Sequence, residues 1–376
     1  MIYFDDAATS RYKPPCVIKA VNDSLKHSAN PGRGSHRDAI KGAMTVEETR
    51  FAISKHANAK RANVVFTKNC TEALNLAILG TARLGGHVVT TVWEHNSVLR
   101  PLYMLKKEGL ITLTVLGESG TKITAEEISA ALTDKTYLVA VTAMSNVTGY
   151  TPPLKAIGEL CADKGIKLLV DGAQAFGHMR IDCDEIGIDM IAGAGHKGLH
   201  GTMGTGFLIY GRSTFVNPLI YGGTGTESDN LLQPATPPES LESGTLNLPG
   251  IAALKEGLTW SEKHFEARNR RIAELSFFLH AELEKAGVTT YSVKGSPLVT
   301  FAVEGKDSAE VANLLNTRYG IATRAGLHCA PLAHRTLGTL RRGLVRASIG
   351  CHNTTGDAKA LVRAVKEIAL STGSDE

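Results

Sequence analysis

The stretch NVVFTKNCTEALNLAILGTARLGGHVVTTVW, residues 63–93, decides how this chain folds. It opens on an apolar, β-branched run, NVVF, crosses a polar turn, and continues as TEALNLAILGTARL, where apolar residues recur at helical spacing. A second β-rich run, HVVTTVW, follows. Strands that are apolar on both sides need cover on both faces, so this strand, helix, strand unit predicts a mostly parallel sheet between helices.

The alternation continues outward from there. SVLRPLYMLKKEG, ITLTVL and TAEEISAALTDK come next, then YLVAVTA, PLKAIGELCADKG, IKLLV, DMIAGA and GFLIYG. Thr124 and Glu127 form a capping-box pattern at one helix start. After Gly250 the character changes to a long amphipathic stretch, IAALKEGLTWSEKHFEARNRRIAELSFFLHAELEKAG. Strand-like PLVTFAV and GLVRASIG and helix-like SAEVANLLNTRYG and GDAKALVRAVKEIA then predict a smaller α+β domain. The expected division is a large domain over residues 15–250 and a small one made of 1–14 and 251–376. LLQPATPPES, residues 231–240, is linker-like, and no internal repeat stands out.

The bulk properties suit this. The chain has 376 residues, 43% of them hydrophobic and 21% charged, with a net charge of +4, as in an ordinary water-soluble protein of two domains. Charges of both signs are interspersed, so neither a nucleic-acid nor a membrane surface is expected. Six cysteines lie scattered without CxxC or zinc-type spacing, which favours free thiols in a reducing compartment. MIYFDDAATS does not read as a secretory signal, and a cytoplasmic location is the expectation.

In sheets of this kind ligands gather beyond the carboxyl ends of the strands. After NVVF comes Thr67-Lys68-Asn69-Cys70-Thr71-Glu72, either a phosphate-binding helix start or a simple cap. After HVVTTVW stands His95, and after YLVAVTA stands Asn146, a ligand contact or a turn residue. Asp171 closes the apolar run IKLLV, a costly place for a charge without a partner. DMIA leads into AGAGHKGLHGTMGTG, residues 192–206, with six glycines around Lys197. Such a run implies close approach to the backbone or unusual dihedrals. Its GxGxxG match is not a dinucleotide fingerprint, because no acidic residue follows about twenty residues on. HKGLH lacks the glutamate of a zinc-protease helix, and no metal is expected.

A phosphate cradle, an imidazole, an amide, a carboxylate and a lysine fit one cofactor, pyridoxal phosphate. It needs a lysine for its Schiff base, a carboxylate at its ring nitrogen and a helix start for its phosphate. The segments DxxAT (Asp5 to Thr9), TKNCTEALN, EHNS, SNVTG, DGAQAFGH, GHK, LESGTLNLPG, TRAGLHCAPL and VRASIGCHNT resemble, in order and spacing, class V aminotransferase-fold enzymes. The nearest resemblance is to the cysteine desulfurase and selenocysteine lyase branch, in the group with a short cysteine loop. It implies the fold type I architecture of pyridoxal-phosphate-dependent transferases.

The resemblance makes Lys197 the Schiff-base lysine, places His95 over the ring and pairs Asp171 with the ring nitrogen. Gln174 and Asn146 would meet the phenolic oxygen. Cys70, Thr71 and His196 would bind phosphate, and Thr224 would reach the phosphate of a neighbouring subunit, which implies a homodimer with shared sites. Arg346 would grip the substrate α-carboxylate, a task suited to a guanidinium fork. Asn146 and Asn30, the latter in the loop NPGRGSHR, would approach the substrate. Cys329 would be the sulfur-accepting nucleophile, activated by the basic groups of RAGLHC, while Cys16, Cys70, Cys161, Cys183 and Cys351 read as structural thiols. The family often has Ser where this chain has Ala194, and GP where it reads HGTMGTG. A missing hydroxyl costs about 1 kcal/mol of phosphate binding.

The expected activity is therefore cysteine desulfuration, L-cysteine to L-alanine with a Cys329 persulfide, and a sulfur-acceptor protein is a candidate partner. The rivals are selenocysteine lyase acting on L-selenocysteine, and a non-catalytic sulfur-delivery scaffold.

Overall fold

The computed structural model describes residues 1–371 apart from Ser28, Arg33, Ser119 and Thr121. Seven strands form the main sheet, in the order Ala62–Thr67, Gly206–Gly211, Met190–Ala194, Lys167–Asp171, Thr136–Thr142, Gly86–Thr91 and Ile111–Leu116. All neighbours are parallel except Gly206–Gly211, which runs antiparallel to both of its partners. The strands of residues 63–93 are in place, with the helix Cys70–Gly80 between them.

Side chains leave a strand alternately to its two faces. Val64, Phe66, Val89, Val139, Val141, Leu168 and Val170 enter one core, and Val65, Val88, Leu138, Ala140, Leu169 and Leu208 the other. The second core also holds Leu74 and Ile78 of the helix Cys70–Gly80 and Val98 and Leu102 of the helix Asn96–Lys107. Both faces are thus covered, which is why the strand sequences are apolar throughout.

The C-terminal part forms an antiparallel sheet in the order Arg324–Gly326, Leu344–Ser348, Leu298–Ala302, Thr289–Thr290. Helices Phe265–Lys285, Ser308–Tyr319 and Thr355–Leu370 pack on it around Phe301, Val345, Leu279 and Leu361. Phe4 joins this core from the N-terminus, where Ile2–Tyr3 pairs in parallel with Ile321–Ala322. Strands of two residues are too short to leave a period in the sequence.

The amphipathic stretch after Gly250 is two helices, Leu248–Lys263 and Phe265–Lys285, separated at His264. Leu248, Ile251, Leu254 and Leu258 pack into the first large-sheet core, whereas Ile272, Leu275, Leu279 and Leu283 pack into the C-terminal core. The break lets one continuous apolar pattern change partners.

Candidate active site

Asn69, Cys70, Thr71, His95, Asn146, Asp171, Gln174, Ala194, His196 and Lys197 line one cavity at the carboxyl ends of the parallel strands. Asn69 caps the helix Cys70–Gly80, its side chain accepting from Glu72 N–H, and Cys70 and Thr71 of that first turn line the cavity. Asp171 ends its strand 4% exposed, and its Oδ1 accepts from Ala173 N at 2.9 Å and lies 3.7 Å from Cys70 Sγ. Burial, and then Asp171, hold the Cys70 thiol protonated, with its pKa raised well above 9.0.

Lys197 sits in a loop clamped through its carbonyl oxygens. His196 O accepts from Ser10 N and Ser10 Oγ, both at 3.0 Å, and Gly201 O accepts from Lys13 Nζ at 2.7 Å. Gly198 O accepts from Ser261 Oγ and Arg268 Nη1, and the other guanidinium nitrogen of Arg268 reaches Gly177 O. The glycines permit this approach: a Cβ on Gly198 would run into the carbonyl of Phe176. Desolvation lowers the Lys197 pKa from 10.5, with Arg346 and Arg324 pushing the same way and Cys70 and Asp171 opposing. Burial also takes the pKa of the neighbouring His196 down to about 4, and its Nδ1 is buried without a hydrogen-bond partner.

His95 caps the helix Asn96–Lys107, with Nδ1 accepting from Ser97 N at 3.0 Å. Desolvation lowers its pKa to about 4. Gln174 is buried and donates to Ala7 O at 3.0 Å.

The C-terminal sheet supplies Arg346, 2% exposed on Leu344–Ser348. Its Nη1 donates to Asn146 O at 3.0 Å, its Nη2 meets Asp5 Oδ1 at 3.3 Å, and its Nε is buried without a partner. Burial lowers the guanidinium pKa to about 10, Asp5 opposing. Cys329 is the exposed member of six cysteines, none of them in a disulfide. Its carbonyl accepts from Asn96 N at 2.7 Å, and that of His328 from Asn146 Nδ2 at 2.7 Å, so the backbone of this turn is bonded to cavity-lining Asn146, although Cys329 itself does not line the cavity. Both residues hold positive φ, 50° and 57°.

One expectation is corrected here. His328 is not a cation beside the thiol: burial first, then Arg346 and His334, push its pKa down to about 2, and its ring stacks on His334. Arg346 stays an electrostatic neighbour of Cys329.

Two expected residues lie apart within this chain. Thr224 stands in a surface pocket with Tyr221, Leu231, Leu232 and the loop residues Gly32, Gly34 and Ser35. Asn30 does not line the Lys197 cavity. Arg33, in the same NPGRGSHR loop, lies outside the described residues. Sequence reasoning missed Ser10, Lys13, Ser261 and Arg268, whose work is to hold backbone oxygens of a distant loop. It also assigned Asp5 no role, although DD in the first segment was there to question.

With this geometry in place, comparison with known proteins gives the class. The aminotransferase class-V family model matches residues 2–361, and the chain belongs to that family, whose enzymes use pyridoxal phosphate. A protein of Methanothermobacter thermautotrophicus named a probable cysteine desulfurase is 33% identical, over 98% of this chain and 94% of that one. Among solved structures, the apo cysteine desulfurase of Thermococcus onnurineus superposes with a TM-score of 0.90 at 32% identity, covering 98% of this chain and 94% of that chain. The cysteine desulfurase CsdA of Escherichia coli gives 0.85 at 28% identity, again covering 98% and 94%. The architecture is the α/β fold type I of pyridoxal-phosphate enzymes.

Proposed function

We propose that the protein is a pyridoxal-phosphate-dependent cysteine desulfurase that converts L-cysteine to L-alanine and receives the sulfur on Cys329. The observation that carries this reading is the meeting of a buried lysine, a buried carboxylate and a helix start in one cavity, with the turn that bears an exposed thiol bonded to cavity-lining Asn146.

The cavity suits the cofactor. It offers free N–H groups and the Thr71 hydroxyl at the helix start for phosphate, Asp171 for a ring nitrogen, and Gln174 and Asn146 for a phenolic oxygen. Buried His196 Nδ1 and Asn146 Oδ1 lack partners, as expected of groups awaiting a ligand. When bound, pyridoxal phosphate supplies an aldehyde for amines and a ring that draws electrons from the substrate carbons.

Around it, each residue has a task its surroundings favour. Arg346, already desolvated and with an unpartnered Nε, takes the substrate carboxylate. Lys197, its amine made less basic by burial, takes the α-proton. The Cys329 thiolate bonds to the substrate sulfur as the carbon–sulfur bond breaks. The electron pair stays with the carbon that held the sulfur, a proton adds there and Lys197 returns the α-proton, which yields alanine, and Cys329 holds a persulfide. The exposed position of Cys329 lets an acceptor thiol collect that sulfur.

Tyr221, Leu231 and Leu232 are strongly exposed beside Thr224, which supports a second copy of the chain covering that segment. L-cysteine with a reductant should yield alanine and sulfide in equal amounts from the purified protein, and neither from Cys329→Ala. Alanine from L-selenocysteine alone would move the substrate to selenium, and retained cysteine turnover in Cys329→Ala would overturn the persulfide.

A further inference from the structure

A buried histidine pair behind Cys329 has no part in the reading above. His328 is 5% exposed, and His334, in the short helix Pro331–Thr336, is fully buried. His334 Nδ1 lies 2.9 Å from Thr339 Oγ1, and His334 Nε2 lies 3.4 Å from His328 Nδ1. On its far side the His328 ring sets Nε2 3.4 Å from Arg324 O. Arg324 opens the strand Arg324–Gly326 and stands opposite Arg346 in the C-terminal sheet. The chain thus runs from Thr339 through both rings to the sheet that carries Arg346.

The last member fixes the direction of every bond. A carbonyl oxygen only accepts, so His328 Nε2 carries a hydrogen. Burial keeps both rings neutral, with the pKa of His334 lowered to about 4 and that of His328 to about 2. His328 Nδ1 therefore presents its lone pair and takes the Nε2 hydrogen of His334. His334 Nδ1 in turn accepts from the Thr339 hydroxyl, and all four ring nitrogens have partners. The opposite order would set a lone pair of His328 against the Arg324 oxygen.

The pair matters because of what lies next to it. His328 and Cys329 hold φ of 50° and 57°, a conformation that residues with a Cβ keep only where their surroundings impose it. The backbone supplies Asn96 N to Cys329 O, Asn146 Nδ2 to His328 O, and Ala330 N to Leu327 O at 2.9 Å. The ring of His328, pinned at both nitrogens, adds a hold on the side chain of one strained residue. We propose that His334 is a positioning residue that, through the His328 ring, holds the turn presenting Cys329 for sulfur transfer. This rests on the reading of Cys329 as the sulfur acceptor. His334 does not line the Lys197 cavity, so its effect falls on the thiol's half of the reaction and leaves the α-proton step alone.

The test uses the full chain loaded with pyridoxal 5'-phosphate and separates two steps. Exchange of the α-proton of L-alanine with deuterated water calls on Lys197 and Arg346 but on no thiol, whereas release of alanine and sulfide from L-cysteine also calls on Cys329. His334→Leu removes both bonds of the ring. His334→Asn keeps an acceptor for Thr339 but falls short of His328, and His334→Gln reaches His328 with an N–H. His334→Leu and His334→Asn should release alanine from saturating cysteine about fivefold more slowly, the effect of one net hydrogen bond. The KM for cysteine and the α-proton exchange should stay as in the wild type, and His334→Gln should recover most of the rate. Hydrogen exchange of the Asn96 and Ala330 amides, which close the turn, should quicken by the same factor in the two slow variants, while the Gly201 amide in the Lys197 loop keeps its rate. An equal loss of α-proton exchange would make His334 a support of the whole site and overturn the proposal. So would undisturbed turnover in His334→Leu, or His334→Gln no faster than His334→Asn. A wild type that exchanges the α-proton of alanine yet yields no alanine from cysteine overturns the desulfurase reading. The two amides then decide the anchoring alone, and unchanged exchange in His334→Leu overturns it.

Discussion

The loop carrying Lys197 and the turn carrying Cys329, which is bonded to cavity-lining Asn146, are held in opposite ways. Around Lys197 three carbonyl oxygens take hydrogen bonds from Ser10, Lys13, Ser261 and Arg268, and the glycines let backbone pack against backbone. Around Cys329 two bonds, from Asn96 N and Asn146 Nδ2, secure a pair of residues in the left-handed region, a conformation that costs about 1–2 kcal/mol for each non-glycine residue. Burial makes the lysine a weaker base, whereas exposure lets the thiol be reached. In the proposed function, a group that exchanges protons inside the site gains from desolvation, and one that hands an atom to a partner gains from access.

The sharpest way to break this contrast is at the lysine. Lys197→Ala should lower alanine release from cysteine by about 10³-fold or more while the protein stays folded by circular dichroism. A variant that still turned over would remove Lys197 from the chemistry.

At the other loop, Cys329→Gly should abolish alanine and sulfide production. Glycine takes the left-handed backbone without strain but loses more entropy on folding, so stability should change by no more than about 1 kcal/mol in denaturant melts. A large loss of stability would mean that the Cys329 side chain is part of the packing, contrary to its exposure.

Arg268→Ala tests the clamp without touching the cavity. Arg268 is 5% exposed, and its removal takes a charged donor from the carbonyls of Gly198 and Gly177, leaving them Ser261 and Asn269, so unfolding free energy should fall by about 2 kcal/mol, read as a shift of the urea midpoint. A change below about 0.5 kcal/mol would mean that the Lys197 loop does not depend on it.

The smallest effect concerns acid. His200, 3% exposed at φ 57°, has its pKa lowered by burial from 6.5 to about 3. The unfolded chain binds this proton more readily than the folded one, so no penalty exists above pH 6.5. Stability is lost as pH falls from there toward 3, by at most about 1.4 kcal/mol per unit. His200→Asn, which tolerates the left-handed backbone and can still donate to Tyr12 O, should reduce the loss between pH 7.5 and 5.5. An unchanged pH dependence would assign acid sensitivity to other groups.

How much of this was legible depended on whether the signal was local. The strand runs from Asn63 to Tyr210 could be read because a sheet covered on both faces admits little but apolar residues. The helix start at Cys70, and Asp171 and Lys197 just past their strands, could be read because the ends of parallel strands meet on one edge. Ser261, Lys13 and Arg268 were silent: a hydroxyl or cation that serves a backbone oxygen 63 to 188 positions away leaves no pattern beside itself. His328 misled for a related reason, since a histidine next to a cysteine looks like a cation until its burial is known.

The order of polar and apolar residues, by itself, determined the alternating α/β framework, the change of character after Gly250 and the places where chemistry-bearing side chains leave the sheet. Hydrophobic periodicity and turn chemistry act over a few residues, and a linear text records them in full. Only the tertiary structure decided which protonation states those side chains hold, that Arg346 and the turn of Cys329 reach Asn146 from the C-terminal part of the chain, and that His334 joins Thr339 to His328. Burial, and the distance between groups far apart in the chain, set those properties, and both exist only once the two cores have closed.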